Sequence, residues 1–369
     1  MGSDSFSRQN AHILVVTDRR DRCFELVAIV SQVCPAHVLS PDADTFGMTD
    51  ATLCAVIDID FASEMAEEKI ERLRAITHGR LLPLVFVIDT EAQNSDLSRN
   101  MDVAKAFAAT NYLTRPFEGD AILRIIAAAF GRLFEQDAVQ LHGVTGIGVA
   151  AAHKALSTIF EVSRAKRPLV FDEVKQRDDL ILDALHSSGI RSWLEAVRRH
   201  HSRTYRHSLL VTGFAVAFAQ KLGMREEDQK RLARAGLLHD IGKAFTPLSI
   251  LDKPDKLTDE EMKEIKKHPV LGHEVLIQQG GFPDEILDCV LHHHELLDGS
   301  GYPDGLRGDQ IVDLVRITTI ADIFSALIEE RSYKQPLSPD RALEIMQQMG
   351  GKLDGDLLRA FSSVALDIG

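Results

Sequence analysis

The stretch Leu237-Leu238-His239-Asp240-Ile241-Gly242-Lys243 sets an imidazole beside a carboxylate at the end of an apolar helical run. Burying that pair is costly unless other polar groups or cations meet it, so the rest of the chain must supply them. On a continued helix, Lys243 would lie four residues after His239 and three after Asp240, which predicts three side chains sharing one cavity. Gly242 beside them lets another backbone or a ligand come close. Candidate partners stand on both sides of this stretch.

The first 130 of the 369 residues have a different rhythm. Short apolar runs at His12 to Thr17, Leu53 to Ile57, Leu84 to Ile88 and Asn111 to Leu113 alternate with helical patterns at Arg22 to Cys34, Glu64 to Thr77, Met101 to Ala108 and Gly119 to Phe130. That alternation predicts a parallel sheet covered on both faces, with Asp18 and Asp58 at the carboxyl ends of strands, where such sheets carry their sites. Residues 131–199 read as a helical connector, and the stripe Leu180, Ile181, Ala184 and Leu185 belongs to a core or to a homodimer seam. From residue 200 to the end the pattern is all helical.

Period sorts the polar residues of this last part. His207 shares a face with Leu210, Val211 and Phe214. Thr258-Asp259-Glu260-Glu261 is a capping box whose helix must end near His268, since Pro269 follows. In His292-His293-His294-Glu295, His293 continues the stripe of Ile286, Cys289 and Val290, and His294 that of Leu287, Val290 and Leu291. His292 lies over Asp288 on a polar face and is given no metal role. Asp322 sits inside the apolar run Val315 to Phe324, where an unpaired carboxylate would cost several kcal/mol. The inward set is therefore His207, His239, Asp240, His268, His293, His294 and Asp322. Seven nitrogen and oxygen donors exceed one ion's needs, and Asp240 can bridge two, so two divalent ions are expected.

Two resemblances follow from these motifs. His239-Asp240 with Gly242-Lys243, Leu251-Asp252-Lys253-Pro254, His268-Pro269, His293-His294-Glu295 and Asp298-Gly299-Ser300-Gly301-Tyr302-Pro303 resemble the HD-GYP domain of bacterial signalling phosphodiesterases, over roughly residues 195–355. The resemblance implies hydrolysis of cyclic di-GMP to linear pGpG or GMP and iron or manganese as the metal. It implies substrate contacts at Tyr302, Arg331 and Lys334 and a catalytic phosphate contact at Lys243 beside Asp240. A subgroup with a third ion carries a glutamate where this chain has Arg203, which supports two ions. Asp18, Asp58 and Tyr112-Leu113-Thr114-Arg115-Pro116-Phe117 resemble a response-regulator receiver, with Asp58 as phosphoacceptor and a sensor kinase or another protein as partner. Three positions depart from it: one acid, Asp18, is followed by Arg19, Arg115 replaces a lysine, and Asp89 stands near an expected hydroxyl. The pattern fits a working phosphoacceptor and equally a receiver fold kept for contacts.

The expected architecture is thus an α/β receiver-like (flavodoxin-like) domain over 1–130, the connector over 131–199, and an all-α HD-GYP domain over 200–369. A net charge of −13 argues against a nucleic-acid polymer or acidic lipid as partner, because both require a basic face. Cys23, Cys34, Cys54 and Cys289 have no paired spacing, and no apolar run is long enough to span a bilayer, so a reducing cytoplasmic setting is expected. Two other functions fit less of the pattern: an HD-type phosphohydrolase acting on a mononucleotide or alarmone, and a scaffold acting through its receiver.

Overall fold

The computed structural model describes residues 12–31, 34–40, 52–59, 68, 71, 83–89, 97–107, 109, 111–164, 171–198, 200, 202–251, 253, 256–329 and 336–368. They form two compact units, Met1–Phe130 and Gly131–Gly369.

In the first unit, β1 (His12–Thr17), β2 (Ala36–Leu39), β3 (Thr52–Asp58), β4 (Leu84–Asp89) and β5 (Asn111–Arg115) make one parallel sheet of order β2-β1-β3-β4-β5. This is the doubly wound, flavodoxin-like order. β1 and β4 are buried at every position, as continuous apolar strands of a covered parallel sheet should be. Helices α1 (Arg20–Val30) and α2 (Leu97–Ala106) lie in this unit. The short strand β2 was not anticipated, because three of its four residues are not buried and Ala-His-Val-Leu carries almost no alternation signal. The helix expected over Glu64 to Thr77 lies outside the described residues except for Glu68 and Glu71, both helical.

The strand ends gather the expected acids, and arginines meet them. Arg115 donates to Asp58 Oδ2 at 3.0 Å, and Arg19 donates to Asp89 Oδ2 at 2.5 Å. Burial pushes the Asp58 carboxyl up from its usual range, and Arg115 only partly opposes this.

The second unit is helical. The run α3 (Gly119–Arg164) crosses the boundary between the units and turns at Gly143, whose φ of 53° and ψ of −124° suit glycine. Beyond that turn the run comes back on itself: a Cβ at Gly131 would meet the His153 ring, and one at Gly146 would meet Ala138 O. There follow α4 (Phe171–Lys175), α5 (Asp178–Val197), α6 (Arg203–Lys221), α7 (Glu226–Leu238), α8 (Leu248–Leu251), α9 (Asp259–Ile265), α10 (His268–Gln279), α11 (Asp284–His292), α12 (Asp313–Ile328), α13 (Pro339–Gln348) and α14 (Gly355–Leu366).

The helices of the expected connector share one hydrophobic core with those that follow. Phe134, Leu156, Ile181, Leu185 and Trp193 belong to the same cluster as Phe214, Phe218, Phe324 and Phe361. Trp193 is fully buried and its indole N–H donates to Leu209 O at 2.8 Å, which ties α5 to α6. Among the described residues no helix is long and apolar enough to cross a membrane.

Candidate metal centre

His207 lies one turn into α6, and α7 ends at Leu238, so His239 is its C-cap. The expected continuous helix through Lys243 is instead a 3-10 turn, Ile241–Phe245. Lys243 still reaches Asp240, with Nζ 2.5 Å from Oδ2. Packing leaves no room for a side chain in this turn, because a Cβ at Gly242 would stand 1.9 Å from His268 O and 2.6 Å from Gly272 N. Two chain segments meet there backbone to backbone, and this brings His268 to Asp240.

The capping box at Thr258 forms as expected, and α10 begins at His268 with Pro269 in its first turn. α11 ends at His292 and leaves His293 as its fully buried C-cap. α12 supplies Asp322.

All seven inward residues converge. His207, His239 and Asp322 form one group of possible donors, His268, His293 and His294 a second, and His239, Asp240 and His293 a third. Asp240 lies between them, with Oδ2 3.3 Å from His239 Nε2 and Oδ1 3.1 Å from His268 Nε2. Neither approach is directed as a hydrogen bond, so His239 Nε2 and Asp240 Oδ1 are buried without one. His292 is elsewhere, held by Asp288 at 2.6 Å and Asp304 at 2.9 Å.

Charge follows from burial. Burial opposes ionisation of Asp240, but Lys243 and then His239 outweigh it and hold the carboxyl well below its usual range. Asp322 is lowered likewise, burial being overcome by the hydrogen bond from His207. Burial disfavours charge on the imidazoles: His293 and His268 are lowered, and His294 falls to about 3. His239 runs the other way, since the adjacent Asp240 overcomes burial and raises it.

Tautomers provide a test of whether these residues suit a cation. His268 Nδ1 donates to Ile265 O at 2.7 Å and His293 Nδ1 to Val290 O at 3.0 Å. Carbonyls only accept, so each neutral ring keeps its proton on Nδ1 and presents a lone pair at Nε2. Those two Nε2 atoms face each other at 3.1 Å. Two nitrogens each about 2.1 Å from one ion would lie roughly 3.0–3.4 Å apart at angles between square and tetrahedral. The donor set fits a divalent ion and is poorly explained without one.

Tyr302 stands at the rim. Its ring stacks on His294 with centroids 4.8 Å apart, and Lys266 Nζ lies 5.1 Å from its centroid. Burial, then Asp322 and Asp240, raise its phenol above the ordinary range and keep it neutral. A cavity of about 420 Å³ opens onto His207, Lys243, His268, His294, Tyr302 and Asp322, with Ile250, Leu251, Met262 and Ile323 as an apolar wall. Arg331 and Lys334 lie outside the described residues, as does the side chain of Arg203.

Glu295, quoted from sequence only as part of the motif His293-His294-Glu295 and given no role of its own, is buried and organises the Tyr302 loop. Its carboxylate accepts from the backbone N–H groups of Asp304, Gly305 and Leu306 at 2.6, 2.9 and 3.1 Å. The nine to eleven residues between partners leave no periodic signal from which this could be read.

A helical unit with an adjacent His-Asp pair at its centre, ringed by histidines from three further elements and an aspartate from a fourth, has the arrangement of an HD domain. Residues 191–357 match the model of that family (HD domain). The chain is 34% identical over 213 residues to a cyclic di-GMP phosphodiesterase of Pseudomonas aeruginosa, covering 54% of this chain and 51% of that protein. It is 40% identical over 142 residues to 3'3'-cGAMP-specific phosphodiesterase 3 of Vibrio cholerae, covering 38% and 31%. The chain thus spans between about a third and a half of the length of these relatives. Among solved structures, Bd1817, a HDG"Y"P protein from Bdellovibrio bacteriovorus, shares the fold, with a TM-score of 0.50, 20% identity, and coverage of 66% of this chain and 78% of that one.

Proposed function

We propose that the chain is a metal-dependent phosphodiesterase that opens a cyclic dinucleotide, with cyclic di-GMP as substrate and linear pGpG or GMP as product. The observation that carries this reading is the pair of Nε2 lone pairs facing each other beside a buried, ionised Asp240. Two ions are proposed, one among His207, His239, Asp240 and Asp322, the other among Asp240, His268, His293 and His294; iron and manganese suit such donors. When bound, such ions supply Lewis acidity toward phosphoryl oxygens.

The chain's own groups do the rest. Asp240 offers an oxygen to each side. Lys243, lining the cavity, places an ammonium where it offsets charge that builds on a non-bridging phosphate oxygen. Tyr302, neutral and backed by His294, offers a phenol O–H to the ligand. Arg331 and Lys334 would add a fork and a point charge for phosphate. The apolar wall suits the face of a purine. The relatives' names include both cyclic di-GMP and 3'3'-cGAMP enzymes, and both ligands carry phosphodiesters and purines.

The receiver-like unit over 1–130 is proposed to modulate this activity through contacts with a protein partner, with the connector over 131–199 leading to the catalytic part, 200–369. A cytoplasmic setting and a homodimer complete the reading. Incubating Mn²⁺- or Fe²⁺-loaded chain with cyclic di-GMP, 3'3'-cGAMP and linear pGpG, and resolving the products by chromatography, tests it. Turnover of a cyclic dinucleotide that Asp240→Ala abolishes is expected. Intact substrates, or an Asp240→Ala variant as active as wild type, would overturn it.

A further inference from the structure

Three histidines of the centre take their orientation from backbone. His239 Nδ1 donates to Gly236 O at 2.8 Å, His268 Nδ1 to Ile265 O at 2.7 Å, and His293 Nδ1 to Val290 O at 3.0 Å. Each acceptor lies three residues back, at a helix end, where carbonyls have no helical partner. No side-chain substitution can remove such an acceptor.

His207 is oriented differently. It sits inside α6, and its two nitrogens meet two carboxylates from α12 and its C-cap. Nε2 donates to Asp322 Oδ1 at 2.8 Å and lies 4.0 Å from Asp240 Oδ2, on the side of the centre. Nδ1 faces Glu329, whose Oε2 is 3.7 Å away. Asp322 and Glu329 are seven residues apart, two helical turns, so they stand on one side of α12 and bracket the ring. Glu329 is buried, lines the same cavity, and accepts at Oε1 from Arg206 Nε at 2.9 Å. Arg206 also donates to His200 O at 3.3 Å.

We propose that Glu329 is the positioning residue of His207: once an ion displaces the proton through which Nε2 bonds Asp322, Glu329 accepts the ring proton at Nδ1, so that the Nε2 lone pair is free for that ion, and Arg206 aims the carboxylate. This rests on the metal reading of the centre. An ion at Nε2 takes that lone pair and leaves the ring proton on Nδ1, where it needs an acceptor. A carboxylate there both satisfies the N–H and makes the ring a stronger donor. The 3.7 Å gap is long for a hydrogen bond, and catalytic contacts of this kind tighten when the ligand is in place. Nothing in the local sequence marks Glu329, since its partners lie more than 120 residues away in the chain.

The test uses the full chain stripped of metal and titrated with Mn²⁺, with affinity and stoichiometry read by competition against a fluorescent chelator. Wild type is expected to hold Mn²⁺, and Glu329→Ala to lose about 10–100-fold in affinity at one ion's site. Glu329→Gln, whose amide oxygen accepts the same N–H, is expected to recover most of that loss. A general loss of fold would not produce this split, and melting of the metal-free variants monitors it. Glu329→Ala binding Mn²⁺ within threefold of wild type overturns the proposal, as do equal losses in the Ala and Gln variants. Should Glu329→Ala not fold, Glu329→Met, of similar length and without an acceptor, replaces it under the same criteria. A wild-type chain that binds no Mn²⁺ would overturn the metal reading itself, a result distinct from unaltered binding by the variants.

Discussion

Replacing Glu295 by glutamine changes one atom type in a buried clamp, and its effect can be worked from three contacts. In the native chain Oε1 accepts from Asp304 N and Gly305 N, and Oε2 from Leu306 N. Glutamine keeps one acceptor for the first two but turns an NH₂ toward Leu306 N–H, donor against donor. One hydrogen bond to a charged group is lost, worth roughly 1.5–3 kcal/mol, and the remaining two lose their charge assistance. A local destabilisation of about 2–3 kcal/mol follows, which corresponds to opening of the loop roughly 30–160-fold more often. Hydrogen exchange of the amides of Asp304, Gly305 and Leu306 reads this directly, since Leu306 loses its acceptor and the other two keep one without its charge. Turnover should fall with it, because the same loop holds Tyr302 against His294. Exchange at those three amides unchanged within threefold in a folded Glu295→Gln variant would refute the reasoning.

Gly242→Ala should destabilise the second unit by about 3 kcal/mol or more, because backbone atoms rather than a flexible side chain meet the new Cβ at 1.9 Å; Gly355→Ala, with open space around it, serves as the control in the same melting experiment. Removing metal with a chelator should lower the melting temperature of wild type but not of Asp240→Ala, and metal analysis of the loaded chain should return two ions. The receiver-like pocket should respond weakly to acetyl phosphate, since Arg115 already occupies Asp58; an Asp58-dependent change in rate would contradict this. Burial pushes the thiols of Cys34 to about 11 and Cys289 to about 12, so both remain thiols at pH 8 and should resist a disulfide reagent until guanidinium unfolds the chain. Thiol counting by absorbance before and after unfolding checks it.

How much could be read from sequence depended on the range of the interaction. Helical period put His207, His293 and His294 on inward faces, because one face of a helix is set by neighbours three and four residues away, an apolar run did the same for Asp322, and the structure brings them to Asp240. The capping box at Thr258 and the polar role of His292 are likewise local, and both are present. The alternation of strands and helices implied the parallel sheet, since an apolar run's burial on both faces shows in its composition. Sequence did not reveal that α7 stops at Leu238 and gives way to a 3-10 turn whose Gly242 packs against His268, a residue 26 positions on in the chain. Nor could it give Glu295 or Glu329 their places, whose partners are loop amides and an imidazole brought near only by folding. In the receiver-like unit, Arg115 was legible as a substitution, but that it lies against Asp58 depended on the order in which strands pair. The chain's donors were thus written in local period, whereas the orientation of those donors required tertiary contacts, because a hydrogen bond across the fold leaves no spacing behind in the chain.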